Sequence, residues 1–423
     1  DDDDRTGIII ELEALLNSQG QAVNEWFAAH YQSKPPPFYG SVDLRHSCSK
    51  IVPVDTNLFP AGFNHLSERG KQRARISFKR RLSAEFPDAR KLLLLAESHT
   101  RNAGYLENLF VLAGLLADAG ALVRVGRLPS AEDVVQKMEL ETLDRKTLTQ
   151  HVIQREGDSL ICADGWQADV VVMNNDLSGG LPEILENISQ PVVPTLQAGW
   201  HRRRKSRHFE LYNQIAKQFA TEFKLDDWKI RTLSHQCGQL DFKDRKGMDT
   251  IAQAIDEMLH AIRAKYEEYN IKTKPYVYIK ADAGTYGMGI MSADSSEDVL
   301  NMNKKLRNKM QVVKDGAVNA QVLIQEGVPT MDKVEGAPAE PMMYAVDGQT
   351  IGGAFRVNPE RDEYRNLNAR GMFFTGMCDR EEAEQGDTDH VPVRLCNFQV
   401  YGLITRLANL AAAMELDEVR EGN

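Results

Sequence analysis

Short apolar stretches alternate with helical segments in the first half of the chain, and this alternation limits the possible folds more than any other feature. Apolar runs that are typical of buried strands begin at Leu92, Leu122 and Val170. Between the first two runs, residues 102–119 carry apolar side chains at helical spacing, and Gly120 follows as a helix terminator. Strands that alternate with helices predict a parallel sheet in an α/β (α+β) fold.

Two loops of this predicted sheet follow the carboxyl ends of strands. They are residues 97–102 (ESHTRN) and residues 174–180 (NNDLSGG). In an open parallel sheet, the loops at the carboxyl ends of the strands form the binding crevice. We therefore expect both loops to contribute to a binding site.

Composition and charge argue against several classes of protein. Of the 423 residues, 42% are hydrophobic, and the formal net charge of -10 disfavours a nucleic-acid partner, with the run HRRRKSRH at 201–208 as the exception. No apolar run reaches the ~18 residues of a membrane span. The acidic start, Asp1–Asp4, is unlike a signal peptide, so the sequence predicts a cytoplasmic protein without a membrane partner. The five cysteines form no CxxC pair, which disfavours a zinc site.

The segment IKADAGTYGMGI, residues 279–290, carries the strongest chemical signal. Its glycines, Gly284, Gly287 and Gly289, let backbone N–H groups approach phosphate oxygens, and Lys280 adds a cation. The spacing fits neither a Walker loop nor the Rossmann fingerprint, since no Gly-Lys-Ser/Thr and no helix follow. A plain glycine-rich hairpin explains the segment about equally well.

The order of the elements that follow carries a resemblance. A strand ends at Gln325-Glu326, a hairpin turns at Asp347-Gly348, and Arg356 precedes the loop RNLNARG at 365–371. A lysine strand, a glycine hairpin, a strand ending in an acid and a strand with an arginine come in the same order in the ATP-grasp fold. The chain resembles bacterial glutathione synthetase in particular.

This resemblance implies that ATP is bound, and it implies a role for each matching residue. Lys280 contacts the α- and β-phosphates, and the three glycines cover the phosphates as a lid. Gln325, Glu326 and Val328 read the adenine. Arg356 stabilises the transferring phosphoryl group, and Asn368 lies beside the acceptor. For Asn368 a purely structural role stays open.

The similarity extends upstream and gives the basic run a second interpretation. In bacterial glutathione synthetase, the segment that matches PVVPTLQAGWHRRRKSRHFELYNQ supplies a first nucleotide lysine just before a helix, and Lys205 holds that place here. Arg203, Arg204 and Arg207 are then partners for a carboxylate or phosphate. A solvated basic loop is the alternative.

The acids that hold Mg²⁺ in ATP-grasp enzymes do not follow Gly371 in this chain. The N-terminal region instead has a predicted helix, followed by the segments YGSVDLR and KIVPVDTN. This is the order of elements that ATP-grasp enzymes have after the loop that matches residues 365–371. We therefore hypothesise a circular permutation, with Asp43, Asp55 and Asn57 as the Mg²⁺ ligands. The alternative is that Asp55 and Asn57 cap a turn before a proline.

Three regions follow from this interpretation. Residues 1–65 form a relocated ATP-grasp terminal segment with the metal strands, residues 66–210 a βαβ substrate domain, and residues 211–423 the nucleotide-binding region.

Nearly the whole chain is similar to bacterial glutamate–cysteine ligases of the ATP-grasp type. Segments such as VDTNLFPAGFNHL and AESHTRNAGYLENL carry this resemblance. It implies γ-glutamylcysteine formation from glutamate and cysteine through γ-glutamyl phosphate, the first step of glutathione biosynthesis. Family habit also suggests a homo-oligomer.

Recognition of the two amino acids requires an arginine for carboxylate and acids for ammonium. The predicted substrate-binding residues are Arg45, His99, Arg101, Asn102 and Asp176. For His99 a capping or core role is an equal alternative, and the sequence does not show which loop holds which amino acid. Two rival functions stay open, which are another carboxylate–amine ligase such as glutathione synthetase and a nucleotide-binding protein without catalysis.

Overall fold

A computed structural model describes residues 7–98, 101–131, 135–283, 290–310, 320–377 and 397–421. The described helices are α1 (Gly7–Tyr31), α2 (Glu68–Glu85), α3 (Ala103–Asp118), α4 (Lys205–Phe223), α5 (Met248–Glu268), α6 (Glu297–Leu300), α7 (Lys304–Met310) and α8 (Phe398–Glu421). The described strands are β1 (Tyr39–His46), β2 (Ile51–Asn57), β3 (Lys91–Ala96), β4 (Leu122–Arg127), β5 (Lys137–Glu141), β6 (Thr147–Glu156), β7 (Ser159–Cys162), β8 (Val170–Asn174), β9 (Val192–Val193), β10 (Ser234–Leu240), β11 (Val277–Ala281), β12 (Met291–Ala293), β13 (Ala320–Glu326), β14 (Lys333–Val334), β15 (Ala337–Val346), β16 (Gln349–Val357) and β17 (Phe373–Gly376).

The predicted parallel sheet is present, and the fold is a mixed α/β fold. Its strand order is β5-β6-β4-β3-β8-β9, and β3 pairs in parallel with both β4 and β8. Leu92 and Leu94 of β3 pack with the core that contains α2 and α3. Leu93 and Leu95 face a second core, which also contains Leu416 of α8. Burial on both faces explains why β3 reads as a continuous apolar run.

A second, antiparallel sheet joins the two ends of the chain. Its order is β17-β16-β15-β1-β2, so the N-terminal strands extend the sheet of the C-terminal hairpin. In this sheet Asp43 lies opposite Asp55, and Glu340 lies opposite Arg356. The predicted metal strands and the predicted phosphate arginine therefore belong to one sheet.

The last helix has several partners, although the sequence indicates none for its predicted range of 393–416. It begins at Phe398 and ends at Glu421, and residues 393–396 lie outside the described ones. It packs against α1, α4 and β2. Its apolar face lies in the same core as the inner faces of α1 and α4. Tertiary packing thus makes α8 a central helix.

The third sheet carries the predicted nucleotide residues. Its order is β10-β13-β11-β12, and α5 covers one face. Lys280 lies on β11, and Gln325 and Glu326 lie on β13 beside it. The predicted lid residues Gly284, Gly287 and Gly289 lie outside the described residues.

The sequence also predicts a short helix over residues 182–188, and this prediction is wrong. The structure has a single 3₁₀ turn at Glu183–Leu185, and Asn187 adopts a left-handed backbone with φ 53. A left-handed residue ends a helix, because helix propagation needs right-handed dihedrals.

Among the described helices, none is long and apolar enough to cross a bilayer.

Candidate active site

Two opposed carboxylates form the centre of the candidate site. Asp43 on β1 and Asp55 on β2 are cross-strand neighbours. Arg356 reaches the first of them from β16, donating from Nη1 to Asp43 Oδ2 at 2.8 Å. The same Nη1 donates to Glu340 Oε1 at 2.5 Å. The antiparallel register of three strands thus places an arginine between two acids.

Burial raises the pKa of Asp43 above its ordinary value, even though Arg356 lowers it. The negative charges of Glu340 and Asp55 raise it further. A cation beside Asp43 opposes this repulsion between carboxylates, and Arg356 supplies one such charge at 2.8 Å.

Lys205 neutralises the second acid. It is the first residue of α4, and its Nζ lies 2.6 Å from Asp55 Oδ1. Burial raises the pKa of Asp55, but the positive charges of Lys205 and Lys280 bring it down to about 2. Asp55 is therefore ionised at neutral pH.

Asp282 fixes the start of α4. Its backbone carbonyl accepts from the N–H of Lys205 at 2.7 Å. Its carboxylate accepts from the N–H of Ser206 at 2.7 Å and from Ser206 Oγ at 2.8 Å. An acid at a helix N-terminus satisfies free N–H groups and complements the helix dipole. Asp282, which directly follows β11, thereby fixes the position of Lys205 at the start of α4.

Lys280 is buried against β2, the strand that carries Asp55. Its Nζ donates to the carbonyl of Val54 and to Gln325 Oε1, each at 2.7 Å. Burial and the positive charge of Lys205 lower the pKa of Lys280 to about 7. The side chain is thus held beside Asp55, at the edge of the same cluster as Lys205.

The side chains of the predicted adenine residues are anchored in the interior. Glu326 accepts from Lys50 Nζ at 2.9 Å and from the N–H of Leu233 at 3.0 Å. Gln325 Nε2 donates to Thr232 Oγ1 at 3.0 Å. Val328 packs with the valines of β2. Adenine reading at this strand end would therefore fall to the backbone.

Asn57 already takes part in a turn. Its Oδ1 accepts from the N–H of Phe59 at 2.9 Å, which is the capping alternative that the sequence left open. Within the described ranges, no group of three or more His, Cys, Asp or Glu residues could hold a metal. Two carboxylates with an amide nevertheless suit Mg²⁺, because this ion takes few protein oxygens and keeps several waters.

The two loops of the parallel sheet meet at a pair of acids. The N–H of Asp176 donates to Glu97 Oε1 at 2.8 Å. Burial and the charge of Asp176 raise the pKa of Glu97 to about 7. Asn102 caps α3 by accepting from the N–H of Tyr105 at 3.1 Å, and Arg101 is exposed. His99 lies outside the described residues.

Arg45 lies on β1 and shares the acid Glu340 with Arg356, so it is not in a loop of the parallel sheet. Its Nε donates to Glu340 Oε2 at 2.7 Å, and its other nitrogens donate to the carbonyls of Glu363 and Arg365. Arg45 thus pins the start of the loop that holds Asn368. The substrate role of Arg45 stays a prediction.

The loop around Asn368 is also held from below. Asn358 is buried, and its Nδ2 donates to the carbonyl of Leu367 at 3.1 Å. Weaker contacts reach the carbonyls of Ala369 and Arg370. Asn368 itself is exposed, so its side chain is accessible to a ligand.

Sequence reasoning missed three residues that shape the site, which are Glu340, Asp282 and Glu97. The register counted outward from the Asp347-Gly348 turn places Glu340 opposite Phe355, and only the register shift between Tyr344 and Ala345 brings it opposite Arg356. Glu97 lies in a loop that the sequence did single out. For Asp282 no signal marks the contact with α4, because it depends on how two distant elements meet.

Comparison with known proteins identifies the family. The chain matches the model of the family GshA, glutamate-cysteine ligase, over residues 13–416. A solved protein of Methylobacillus flagellatus KT, assigned as a gamma-glutamylcysteine synthetase, is 38% identical with a TM-score of 0.88. The match covers 98% of this chain and 97% of that chain. No curated protein matches the chain significantly.

Two more distant structures show only weak likeness. D-alanyl-alanine synthetase A from Vibrio cholerae is 11% identical, with a TM-score of 0.37 over 78% of this chain and 81% of that chain. A glutathione synthetase-like effector from Globodera pallida is 10% identical, with a TM-score of 0.36 over 86% of this chain and 80% of that chain. These two likenesses are too weak to support a functional argument. On the full-length match, the chain belongs to the glutamate–cysteine ligase family and is an ATP-dependent ligase.

Proposed function

We propose that this glutamate–cysteine ligase forms γ-glutamylcysteine through γ-glutamyl phosphate at the site around Asp43 and Asp55. One observation carries the proposal. Each of these opposed acids is bound by a cation from a different part of the chain, Arg356 at 2.8 Å and Lys205 at 2.6 Å. Such a set of acids and cations is suited to a phosphate group with its metal ion.

The cations divide the work of holding the phosphates. Lys205 and Lys280 both lower the pKa of Asp55, which supports a role for both cations beside one phosphate chain. Arg356 lies beside Asp43 and stabilises the charge of the transferring phosphoryl group. Positioning and charge stabilisation supply most of the catalysis in phosphoryl transfer, and no cysteine of the chain is needed as a nucleophile.

Asp43, Asp55 and Asn57 are the residues that would hold Mg²⁺. Their oxygens are the donors that this ion prefers, and the negative charges of Glu340 and Asp55 add to the rise that burial causes in the pKa of Asp43. When bound, Mg²⁺ neutralises negative charge on the phosphate oxygens. The acids themselves fix the metal against β1 and β2, on the same sheet as Arg356.

The remaining predicted residues complete the substrate sites. The backbone at Gln325, Glu326 and Val328 would read adenine, and the segment with Gly284, Gly287 and Gly289 would cover the phosphates. Asn368 would lie at the acceptor. His99, Arg101, Asn102 and Asp176, with Arg45, would bind the amino acids.

The reaction has two steps. An oxygen of the glutamate γ-carboxylate attacks the γ-phosphorus of ATP, ADP leaves, and γ-glutamyl phosphate forms. The neutral amine of cysteine then attacks the γ-carbonyl carbon. The C–O bond to phosphate breaks, the nitrogen loses a proton, and γ-glutamylcysteine and phosphate are released.

We also propose that the fold is a circularly permuted ATP-grasp fold. The position of β1 and β2 beside β15 supports this, since strands from the N-terminus complete the C-terminal sheet. The division at residues 65 and 210, the homo-oligomer and the cytoplasmic location stay predictions of the sequence.

The test is a direct assay of the joined product. Purified protein is incubated with ATP, Mg²⁺ and glutamate, with and without cysteine, and ADP and product mass are followed. We expect cysteine-dependent ADP and the mass of γ-glutamylcysteine. Turnover only with γ-glutamylcysteine and glycine would contradict the proposal and favour a glutathione synthetase activity.

A further inference from the structure

One buried acid of α8, Glu415, binds two residues of the basic run HRRRKSRH. Arg203 donates from Nε and Nη2 to the two oxygens of Glu415, at 3.1 and 3.0 Å. His208 Nδ1 lies 2.6 Å from the same carboxylate. All three side chains are at least nine-tenths buried. A buried bidentate pair of this kind has a fixed geometry, unlike an exposed one.

Arg203 also binds β2, the strand that carries Asp55. Arg203 Nη1 donates to the carbonyl of Thr56 at 3.0 Å, between the proposed metal ligands Asp55 and Asn57. One guanidinium therefore joins α8 to β2. A shift of Glu415 would move this segment of β2 and the start of α4 together.

Lys205 lies between the two residues that Glu415 holds. Arg203 precedes it and His208 follows it along the chain, and Trp200 packs beneath both cations. The ring centroid of Trp200 is 4.7 Å from Arg203 Cζ and 5.1 Å from Lys205 Nζ. The position of Lys205 relative to Asp55 is thus fixed from both sides by contacts that end on α8.

We propose that Glu415 is a positioning residue, which sets Lys205 and Asp55 of β2 at the spacing that ATP and its metal ion require. The proposal rests on the proposed roles of Lys205 and Asp55. Glu415 touches neither substrate nor metal, and it acts through Arg203 and His208. Residues that orient a primary ligand in this way commonly change affinity or activity by about 10- to 100-fold when they are replaced.

Glu415→Gln tests this inference, with Glu418→Gln as the matched control. Glu418 lies on the same helix and pairs with Arg207 of the same basic run, but both side chains of this pair are solvent-accessible. Binding of a non-hydrolysable ATP analogue with Mg²⁺ is measured by calorimetry on the folded protein. We expect Glu415→Gln to raise the Kd about 10-fold or more and to leave the KM for glutamate unchanged. We expect Glu418→Gln to bind as the unchanged protein does.

A second variant separates positioning from folding. Replacing Arg203 and Glu415 together by Met removes the buried charges, and such replacements commonly keep a protein stable. If Glu415 positions Lys205, this double variant stays folded and still binds the analogue weakly. Full affinity in the folded double variant, or in Glu415→Gln, would overturn the inference.

Lys205→Ala tests the proposed nucleotide site separately from the positioning role of Glu415. Weak binding by Lys205→Ala together with full affinity in Glu415→Gln would leave the proposed function intact and remove only the positioning role. Full affinity in Lys205→Ala would instead contradict the proposed nucleotide site, and the inference with it.

Discussion

Four buried side chains alternate in charge across the antiparallel sheet. Asp43 binds Arg356, Arg356 binds Glu340, and Glu340 binds Arg45 through its second oxygen. Each charge has an opposite neighbour, which offsets the cost of removing it from water. The arrangement also leaves Arg356 a rigid donor whose direction is fixed by two acids. At the scale of single residues, this chain of ion pairs would prepare the proposed phosphoryl site.

Replacing Arg356 by Lys tests the role of the planar donor. A lysine keeps the charge but cannot reproduce the geometry of a guanidinium shared by two acids. We expect kcat to fall about 100-fold, as when one donor to a developing charge is lost, with a smaller change in the KM for ATP. Steady-state kinetics at saturating amino acids give both constants.

Arg365→Lys is the control for that substitution. Arg365 is exposed and its Nη1 donates to Ser292 Oγ at 3.0 Å. We expect its kcat to stay within about twofold of the unchanged protein, since exposed contacts contribute little. An unaltered kcat in Arg356→Lys would show that the arginine does not act on the transferring group.

At the scale of elements, the joint between α4 and α8 determines where the cations lie. Asp282 holds the first turn of α4 from one side, and Glu415 holds it from the other. This joint could not be predicted from the sequence, because Arg203 and Glu415 are 212 residues apart. The resemblance to glutathione synthetase did imply a helix beside Lys205, and α4 begins there. The nucleotide role of Lys205 stays a prediction. Contact between distant elements, rather than the elements, was the missing information.

The ion pair of Glu415 gives the stability of this joint a defined pH dependence. Burial raises the pKa of Glu415, but Arg203 and His208 bring it down to about 2 from an ordinary value of 4.5. The unfolded chain therefore takes up a proton at a higher pH than the folded protein does. The stabilisation is complete above pH 4.5 and is lost as the pH falls towards 2.

We expect the difference in unfolding free energy between the unchanged protein and Glu415→Gln to narrow by about 3 kcal/mol over this pH range. Urea unfolding at a series of pH values measures it. The exposed Glu418→Gln should show a small difference that varies little with pH. A difference for Glu415→Gln that does not change with pH would mean that the carboxylate is not paired in solution.

At the scale of the whole molecule, the N-terminal strands extend the C-terminal sheet, with β1 inside it and β2 at its edge. The strand β1 has β15 on one side and β2 on the other. The spacing of residues did not predict this pairing. The order of elements in a resembling family led to the hypothesis of a circular permutation, which stays a proposal. The double-sided burial of β3 and β8 made them readable from sequence, whereas β5 is half-exposed at an edge and gave no clear signal.

Hydrogen exchange tests whether the two ends of the chain form one unit. Amides of β1 and β2 should exchange as slowly as those of β15 and β16, because opening one pair disrupts the other. The edge strand β5 should exchange faster and serves as the internal control. Mass spectrometry of peptides from 39–57 and 337–357 reports both regions. Faster exchange of the N-terminal strands would show that they open independently of the C-terminal hairpin.

In the proposed mechanism, the enzyme activates glutamate as an acyl-phosphate at the site around Asp43 and Asp55. The most direct measurement uses glutamate whose γ-carboxylate carries heavy oxygen, with ATP, Mg²⁺ and cysteine. The mechanism predicts that each turnover transfers a heavy oxygen from the carboxylate to the released phosphate, which mass spectrometry detects. Phosphate that is free of the label while γ-glutamylcysteine forms would contradict the account.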